Sequence, residues 1–347
     1  MDETAPIRSK TTPPCPGLNP GAGTVPGPLD QSQRLIVGLR DWTDFATAEQ
    51  QEFLTMVADG WFGGVILFGQ NCITPAQVYG LTQQLHRAAG GRPFWISIDQ
   101  EGGAVARLNE IFTPPVPTNA ILGDTESPAG PLAAAYFHQQ ARDLAGLGMT
   151  LNFSPVVDLQ LGSPPIMKKG RSFSRDPETV IGWSRLVIQA HRHHGVMPCL
   201  KHFPGHGAVP VDTHADFYDI ADTHNLCELL PYQILHPEFP DIPIMVAHLR
   251  HRDVDPYLPA TLSPRWVPYF KQHLSPQAVL ISDDLSMGAL ASFGTPASVL
   301  KLGLQGPMTF LIFSQNPLAN ARRMTQNYES QASLIPFDRF PQILGQV

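Results

Sequence analysis

The chain is poor in cysteine. Its four cysteines stand far apart in 347 residues, and none forms a C-x-x-C pair: Cys15, Cys72, Cys199 and Cys227. This low density argues against a disulfide-bonded secreted fold. We therefore expect reduced thiols and a cytoplasmic protein.

Positive charge and long apolar runs are scarce as well. The formal net charge is −7, whereas a nucleic-acid partner requires a basic face. The first thirty residues hold no apolar run long enough for a signal-peptide core or a membrane span. We expect a monomer with neither nucleic acid nor a membrane as a partner. With 43% hydrophobic and 15% charged residues, the composition is that of a globular protein.

Proline is abundant in the first thirty residues of the chain. Seven prolines lie in Met1–Asp30, with glycine and threonine between them, and such a segment cannot bury enough apolar surface to fold. We predict a disordered leader over residues 1–30. No later break in composition marks a boundary, so residues 31–347 are predicted to form one domain.

Eight short apolar runs alternate with helical segments after this leader. The runs are Arg34–Leu39, Gly64–Phe68, Phe94–Asp99, Thr150–Phe153, Met197–Leu200, Ile242–Ala247, Ala278–Ser282 and Thr309–Phe313. Near-continuous apolar strands are typical of a parallel sheet that is buried on both faces. Eight strand–helix units over about 310 residues predict a single α/β domain, a (β/α)₈ TIM-type barrel.

Three of the intervening segments carry clear helix signals. They are Ala48–Trp61, Pro75–Ala89 and Pro177–Gly195. The last two open with proline, which suits a first helical turn, and Thr74 and Asp176 precede them as N-caps. Thr47, with Gln50 three residues on, predicts a capping box for the first.

Polar residues follow the predicted strands at their carboxyl ends, where barrel enzymes place their chemistry. They are Asp99, Glu101, Asp158, Lys201, His202, His248, Asp283 and Asp284. Solvated surface charges would not follow the strand ends so regularly. The sequence therefore predicts a functional site at this end of the barrel.

The densest polar segment is Lys201–Asp216, which its glycines and prolines predict to be a loop. It offers His202, His206, Asp212 and His214. Several histidines with an aspartate can hold a transition metal, but compact spacing such as H-E-x-x-H is missing. A carboxylate two residues from a histidine can instead orient and charge the imidazole for acid–base work. Acid–base work is favoured over a metal site and over histidines that merely bond the backbone.

The segment Val279–Met287 ends an apolar strand in two carboxylates, Asp283 and Asp284. Neighbouring strand residues point to opposite faces, so one of the two faces a substrate at the barrel mouth. A carboxylate so placed can attack the anomeric carbon of a sugar. The other is expected to cap a helix or bond a nearby loop; the alternative is that both act as helix caps.

Two further segments suggest sugar binding. Asp99 would project into the barrel mouth, where a carboxylate can accept hydrogen bonds from sugar hydroxyls or hold a loop. The loop Lys169–Pro177 carries Arg171 and Arg175, of which one can bind a hydroxyl or acetamido oxygen. The other is expected to be a surface charge; taken alone, this loop favours two solvated arginines.

Seven runs in these regions resemble glycoside hydrolase family 3, in particular its NagZ-type β-N-acetylglucosaminidases of bacterial peptidoglycan recycling. The runs are Ile98–Val105, Asn152–Asp158, Arg171–Phe173, Lys201–Val209, Asp212–His214, Asp253–Pro256 and Ser282–Met287. The resemblance extends from about Arg34 to about Met324. The KHFPGHG run followed by D-x-H is specific to the N-acetylglucosaminidase branch, whose acid–base is a His–Asp dyad on this loop.

The resemblance implies a role for each matched residue. Asp283 would be the nucleophile, and His214, supported by Asp212, the acid–base. Sugar binding would fall to Asp99, Arg171, Lys201 and His202. Residues 31–347 would then form the catalytic barrel of a retaining exo-enzyme that removes terminal β-linked N-acetylglucosamine from muropeptides through a glycosyl-aspartate. No metal and no cofactor are implied.

Other functions stay open, and two departures from the family pattern leave room for a barrel without catalytic activity. Ala104 stands where the family usually has arginine, and Pro307 replaces the aspartate of an A-G-x-D run. A phosphorylase would use the same covalent intermediate with phosphate as acceptor. A non-catalytic sugar-binding barrel and a metal-dependent hydrolase are the remaining alternatives.

Overall fold

A computed structural model describes residues 31–108, 111, 117–125, 131–167, 169–211, 213 and 217–315. Their main sheet is built from eight strands, of which the fifth comes in two parts. In chain order they are Leu35–Gly38, Gly64–Leu67, Trp95–Ile98, Leu151–Asn152, Met197–Pro198 with Leu200–Phe203, Ile244–Val246, Leu280–Asp284 and Phe310–Phe313. All eight predicted strands are confirmed. The predicted leader, residues 1–30, lies outside the described residues.

The sheet closes into a barrel through its own fifth strand. Every neighbouring pair is parallel, and the first strand lies between the second and the eighth. Met197–Pro198 pairs with the fourth strand, and Leu200–Phe203 pairs with the sixth. The two edges of the sheet are thus consecutive in the chain and are joined at Cys199. The predicted (β/α)₈ barrel is confirmed.

Helices cover the outside of the barrel. They are α1 Ala48–Ala58, α2 Pro75–Ala89, α3 Asn119–Thr125, α4 Pro131–Gly146, α5 Pro164–Met167, α6 Pro177–His193, α7 Leu230–Glu238, α8 Val267–His273 and α9 Pro296–Gln305. Two small pairs of strands lie beside the barrel: Gln100–Gly102 with Val105–Ala106, and Tyr218–Asp219 with Leu249–Arg250.

The predicted caps begin the helices where expected. Gln50 N donates to Thr47 Oγ1 at 3.3 Å, while Thr47 N donates to Gln50 Oε1 at 2.7 Å, which completes the capping box of α1. Thr74 and Asp176 cap α2 and α6. Helix α1 ends at Ala58, three residues before the predicted end, because the chain turns at Gly60 with a φ of +85°.

Side chains alternate between the inside of the barrel and the layer beneath the helices. The inside is filled by apolar residues: Ile36, Ile66, Leu151, Phe153, Cys199, Met245, Ile281, Phe310 and Ile312. Along the third and fifth strands, the inward positions continue past this cluster to Asp99 and Lys201. The barrel is therefore apolar inside and becomes charged at its carboxyl end.

Candidate active site

A buried lysine stands at the centre of the barrel mouth. Lys201 Nζ lies 2.8 Å from Asp99 Oδ1 and 2.6 Å from Glu101 Oε1, and the residue is 1% exposed. Burial alone would lower the pKa of Lys201, but Asp99 and Glu101 outweigh it and raise the pKa. The ammonium is therefore charged and held between two carboxylates.

Arg171 binds the same glutamate from the other side. Its Nε and Nη2 atoms donate to the two carboxylate oxygens of Glu101, each at 2.8 Å. Burial alone would raise the pKa of Glu101, but Arg171 and Lys201 hold it well below its usual range. Such a fork of parallel bonds fixes the guanidinium in place. Arg175, the other candidate arginine, is exposed, so Arg171 is the one that reaches the mouth.

His202 connects this network to a buried aspartate. Its Nδ1 lies 2.6 Å from Asp158 Oδ2, and its Nε2 lies 3.1 Å from Arg171 Nη2. Because Arg171 can only donate, Nε2 accepts and the ring proton sits on Nδ1, facing the carboxylate. Burial opposes the charge of Asp158, but His202 lowers the pKa of this carboxyl below its ordinary value.

The fifth strand runs further into the polar segment than the sequence predicts. It continues to Phe203, so Lys201 and His202 lie on the strand rather than in the loop. The peptide bond between these two residues is cis. Residues 212 and 214 lie outside the described residues, and the predicted Asp212–His214 dyad stays a prediction.

Both ring nitrogens of His206, in the same polar segment, contact hydroxyl groups of the protein. His206 Nδ1 lies 3.3 Å from Ser163 Oγ, and its Nε2 lies 2.9 Å from Thr213 Oγ1. Burial lowers the pKa of His206 to about 4, so the ring is neutral at neutral pH. Its main-chain N–H donates to Asp158 Oδ1 at 2.8 Å. His206 therefore secures the loop instead of offering free ligand atoms.

The carboxyl group of Glu228 binds the main chain of this loop. Its Oε1 accepts from Gly207 N at 2.5 Å, and a side chain at position 207 would meet Leu159 O at 2.1 Å. Gly205 has a φ of +128° and also lies against Glu228. Burial, with the nearby Asp158, raises the pKa of Glu228 to about 8. The two glycines and this acid together fix the start of the segment that leads to residues 212 and 214.

The paired carboxylates of the seventh strand differ in their partners. Asp284 Oδ1 accepts from Ser286 N at 3.0 Å and from Ser314 N at 3.1 Å. Asp283 Oδ1 accepts from Asp284 N at 2.8 Å. A register shift against the eighth strand falls between Ile281 and Asp284, so simple alternation no longer decides which way each side chain faces. The partners show that Asp284 holds the neighbouring loop, as expected for one of the pair.

His248 also takes part in this support. Its Nε2 lies 2.9 Å from the main-chain oxygen of Asp284, and its Nδ1 lies 2.8 Å from Thr261 Oγ1. Since the carbonyl can only accept, Nε2 carries the proton and Nδ1 accepts from the threonine hydroxyl. The end of the seventh strand is thus fixed through its backbone.

A pocket opens where the first, second and eighth strands end. It has a volume of about 430 Å³, within the range of small-molecule sites, and is lined by Arg40, Phe68, Gln70, Ser314 and Gln315. The Arg107 guanidinium lies 5.8 Å from the centre of the Phe68 ring and 3.6 Å from Asp99 Oδ2. Arg107 therefore links the pocket to the lysine-centred network.

Sequence reasoning missed three residues of this site. The sequence places Glu101 and Asp158 after strands but assigns them no role. Glu101 binds Arg171 and Lys201, and Asp158 binds His202 and the main-chain N–H of His206. The sequence assigns no role to Glu228 either. Its available signal is a lone acid within the apolar run Leu226–Leu230, because such an acid is buried only with partners. The arrangement offers carboxylates, cations and a pocket to a polyhydroxylated ligand.

A closed parallel barrel with polar side chains at several strand ends is the arrangement of a barrel enzyme, whose chemistry lies at the carboxyl ends of the strands. The model of the glycosyl hydrolase family 3 N terminal domain matches residues 32–335. The chain therefore belongs to glycosyl hydrolase family 3 and is a glycoside hydrolase. The described residues contain no helix that is both long and apolar enough to span a membrane.

Relatives and solved structures agree with this membership. The chain is 37% identical to a β-hexosaminidase of Bordetella avium over 65% of this chain and 65% of that protein's length. A glycosyl hydrolase of the same family from Mycobacterium smegmatis superimposes with a TM-score of 0.73 at 26% identity, covering 91% and 94% of the two chains. A β-N-acetylglucosaminidase from Paenibacillus superimposes with a TM-score of 0.75 at 25% identity, covering 91% and 60%.

Proposed function

We propose that this chain is a retaining exo-β-N-acetylglucosaminidase that removes terminal β-linked N-acetylglucosamine. The observation that carries the proposal is the joint placement of the Lys201-centred network and the Asp283–Asp284 pair at one barrel mouth. The names of the Bordetella and Paenibacillus proteins support this choice of sugar.

The proposed reaction has two displacements. In the first, an oxygen of Asp283 bonds to the anomeric carbon, the glycosidic bond breaks, and His214 gives its proton to the leaving oxygen. In the second, His214 takes a proton from water, which attacks the same carbon and releases Asp283. Asp212 orients the imidazole and favours its charged form. Two inversions retain the β-configuration.

Sugar binding is assigned to the network. At the barrel mouth, Asp99 offers a hydrogen-bond acceptor and Lys201 a hydrogen-bond donor. Arg171 and His202 are the other two side chains assigned to sugar binding. Because each of these side chains is already fixed by a charged neighbour, little conformational freedom is lost when a hydroxyl or acetamido group binds. The network therefore suits the recognition of a single terminal sugar.

The proposed natural substrate is a muropeptide fragment of peptidoglycan, processed in the cytoplasm. An imidazole acid–base adds no negative charge beside a substrate that itself carries carboxylates. That electrostatic argument favours a histidine over the second carboxylate that glycosidases commonly use.

A chromogenic β-N-acetylglucosaminide offered beside the matching β-glucoside tests the proposal. We expect turnover of the first and little of the second, with NMR showing the β-anomer as the first-formed product. Initial α-product would mean that water attacks directly. Repeating the assay in phosphate and in phosphate-free buffer, with product identification, distinguishes hydrolysis from phosphorolysis; formation of a sugar phosphate would overturn the hydrolase assignment.

A further inference from the structure

Three histidines meet on the outside of the barrel. His138 lies on α4, and His193 and His194 lie at the carboxyl end of α6. Helix α6 leads into the start of the fifth strand, whereas the active site lies at the carboxyl ends of the strands. The three rings are therefore at the opposite end of the barrel from the chemistry described above, and the proposed reaction does not use them.

The three rings are close neighbours of one another. Their centres are 5.2 Å apart for His138 and His193, 5.4 Å for His138 and His194, and 4.9 Å for His193 and His194. The three interplanar angles are 86°, 80° and 87°. One ring nitrogen from each residue lies within 4.8 Å of the other two. The three imidazoles are nearly perpendicular to one another, and each brings one ring nitrogen close to a nitrogen of the other two.

These separations can be compared with those that a metal ion imposes. With Zn–N distances of about 2.0–2.1 Å, a tetrahedral ion holds its ligand nitrogens about 3.3–3.4 Å apart and the imidazole centres about 5.2 Å apart. An octahedral ion would bring the centres to about 4.5 Å. The observed 4.9–5.4 Å agrees with the tetrahedral case. The distance of 3.3 Å between His138 Nδ1 and His194 Nε2 equals the tetrahedral edge.

The surroundings leave the imidazole lone pairs usable. A neutral imidazole has one ring nitrogen without a proton, and that nitrogen can bind a metal ion. His193 is exposed and the other two are partly exposed, so water can reach a fourth position. The opposing charge is Arg142, one turn after His138, which bonds Gln139 at the surface, where solvent screens it.

We propose that His138, His193 and His194 form a three-imidazole site for a tetrahedral divalent transition-metal ion of the Zn²⁺ class, which joins α4 to α6. Imidazole nitrogen is a preferred ligand for this class, whereas Mg²⁺ and Ca²⁺ prefer oxygen. The competing explanation is a hydrogen bond between His138 and His194 without any ion, and it predicts no metal-dependent change.

The test uses the full chain after treatment with a chelator. Zn²⁺ is titrated in competition with a chromophoric chelator against the wild type, His193→Ala, His138→Ala and the control His273→Ala, a histidine on α8. We expect the wild type and the control to bind one more equivalent than either cluster variant, or to bind it at least about tenfold more tightly. Zn²⁺, unlike Mg²⁺, should raise the thermal midpoint of the wild type and the control alone.

Cobalt gives an independent readout. Co²⁺ in a tetrahedral site absorbs visible light far more strongly than in an octahedral one, and this band should be lost in His193→Ala, whose exposed side chain is not needed for folding. Equal Zn²⁺ stoichiometry and affinity in the wild type and both cluster variants would overturn the site. A weak, octahedral Co²⁺ spectrum that the variants share would overturn it as well.

Discussion

The two sides of the barrel mouth are held in different ways. On the third to fifth strands, charged side chains hold one another: Lys201, Arg171, Glu101 and Asp158 are each at most 7% exposed. On the seventh and eighth strands, main-chain groups fix the site. Ser286 N and Ser314 N donate to the Asp284 carboxylate, and the Asp284 carbonyl accepts from His248. One side is a network of ions, and the other is a carboxylate pair on a fixed strand end.

Under the proposed function, the first side binds the sugar and the second side reacts with it. A network of paired ions is costly to disturb, because any member left alone is a buried charge without compensation. Such a network suits groups that must keep one shape while a sugar binds. A nucleophile must instead form and break a covalent bond, and Asp283, the proposed nucleophile, lies beside Asp284, which holds the neighbouring loop. Substitutions in the network of ions should therefore lower stability as well as activity, whereas substitution of Asp283 should lower activity alone.

The largest effect is expected at the reacting side. Asp283→Asn should lower kcat by at least about 10³-fold with an unchanged thermal midpoint, because an amide cannot form the glycosyl-enzyme. Rates on a chromogenic β-N-acetylglucosaminide and a melting curve measure both. Asp284→Asn is the matched control, since an amide oxygen can still accept from Ser286 N and Ser314 N. An active Asp283→Asn beside a dead Asp284→Asn would reverse the assignment of the pair.

The predicted acid–base gives the next effect, and its size should depend on the leaving group. His214→Ala should lose about 10²–10⁴-fold on a natural glycoside but keep much of the first step with an activated aryl glycoside, which needs little protonation. Azide should restore turnover by attacking the glycosyl-enzyme without a base. Asp212→Ala should weaken the same step less. Equal losses on both substrates without rescue by azide would make His214 a binding or structural residue.

On the binding side, substitution should cost stability as well as activity. Glu101→Gln leaves Arg171 and Lys201 without their shared carboxylate, and breaking a buried pair costs about 3–5 kcal/mol. Glu238→Gln, which breaks the surface pair with Arg185, is the control and should cost at most about 1 kcal/mol. Urea unfolding of both variants measures the difference. Similar costs at the two positions would show that the network is not held by its charges.

The pH dependence of that cost follows from the sign of the shift. The pKa of Glu101 is lowered on folding, so its contribution is present above the unfolded pKa of about 4.3 and is lost as pH falls below it. The gap in unfolding free energy between the wild type and Glu101→Gln should therefore be constant from neutral pH to about pH 5. It should shrink in more acidic solution.

Glu228 should show the opposite pH dependence. Its pKa is raised to about 8, so the folded chain holds this proton more tightly than the unfolded chain. The wild type should then lose stability as pH rises from about 4.3 toward 8, while Glu228→Gln, which keeps the acceptor for Gly207 N, should not. Thermal midpoints of the two proteins from pH 5 to 8 test this, and parallel curves would contradict it.

The fold was readable from the sequence because local signals agreed with one another. Buried strands made of apolar residues and helices that begin at Thr74 and Asp176 are local features, and each appeared where expected. What could not be read was the break of the fifth strand at Cys199 and the register shift before Asp284. Both arise from pairing between strands that are distant in the chain, which no short window contains.

The site was readable only in part for a related reason. Residues of the matched motifs, such as Lys201 and Arg171, were found because residue type and position relative to a strand were informative. Glu101 and Glu228 gained their roles from partners about 70 and 21 residues away in sequence. A buried acid is explained by what surrounds it, and the surroundings exist only after folding.

The join of the barrel at Cys199 has a consequence for chemical labelling. Its thiol is fully buried between the two parts of the fifth strand, and burial raises its pKa to about 12, so it hardly reacts while the barrel is closed. Cys227 is exposed, so the reagent can reach it without any opening of the barrel. Cys72 is also a buried thiol, so the two must be told apart by the site of labelling. The rate at which Cys199 itself is alkylated then measures how often the ring of strands opens at its seam.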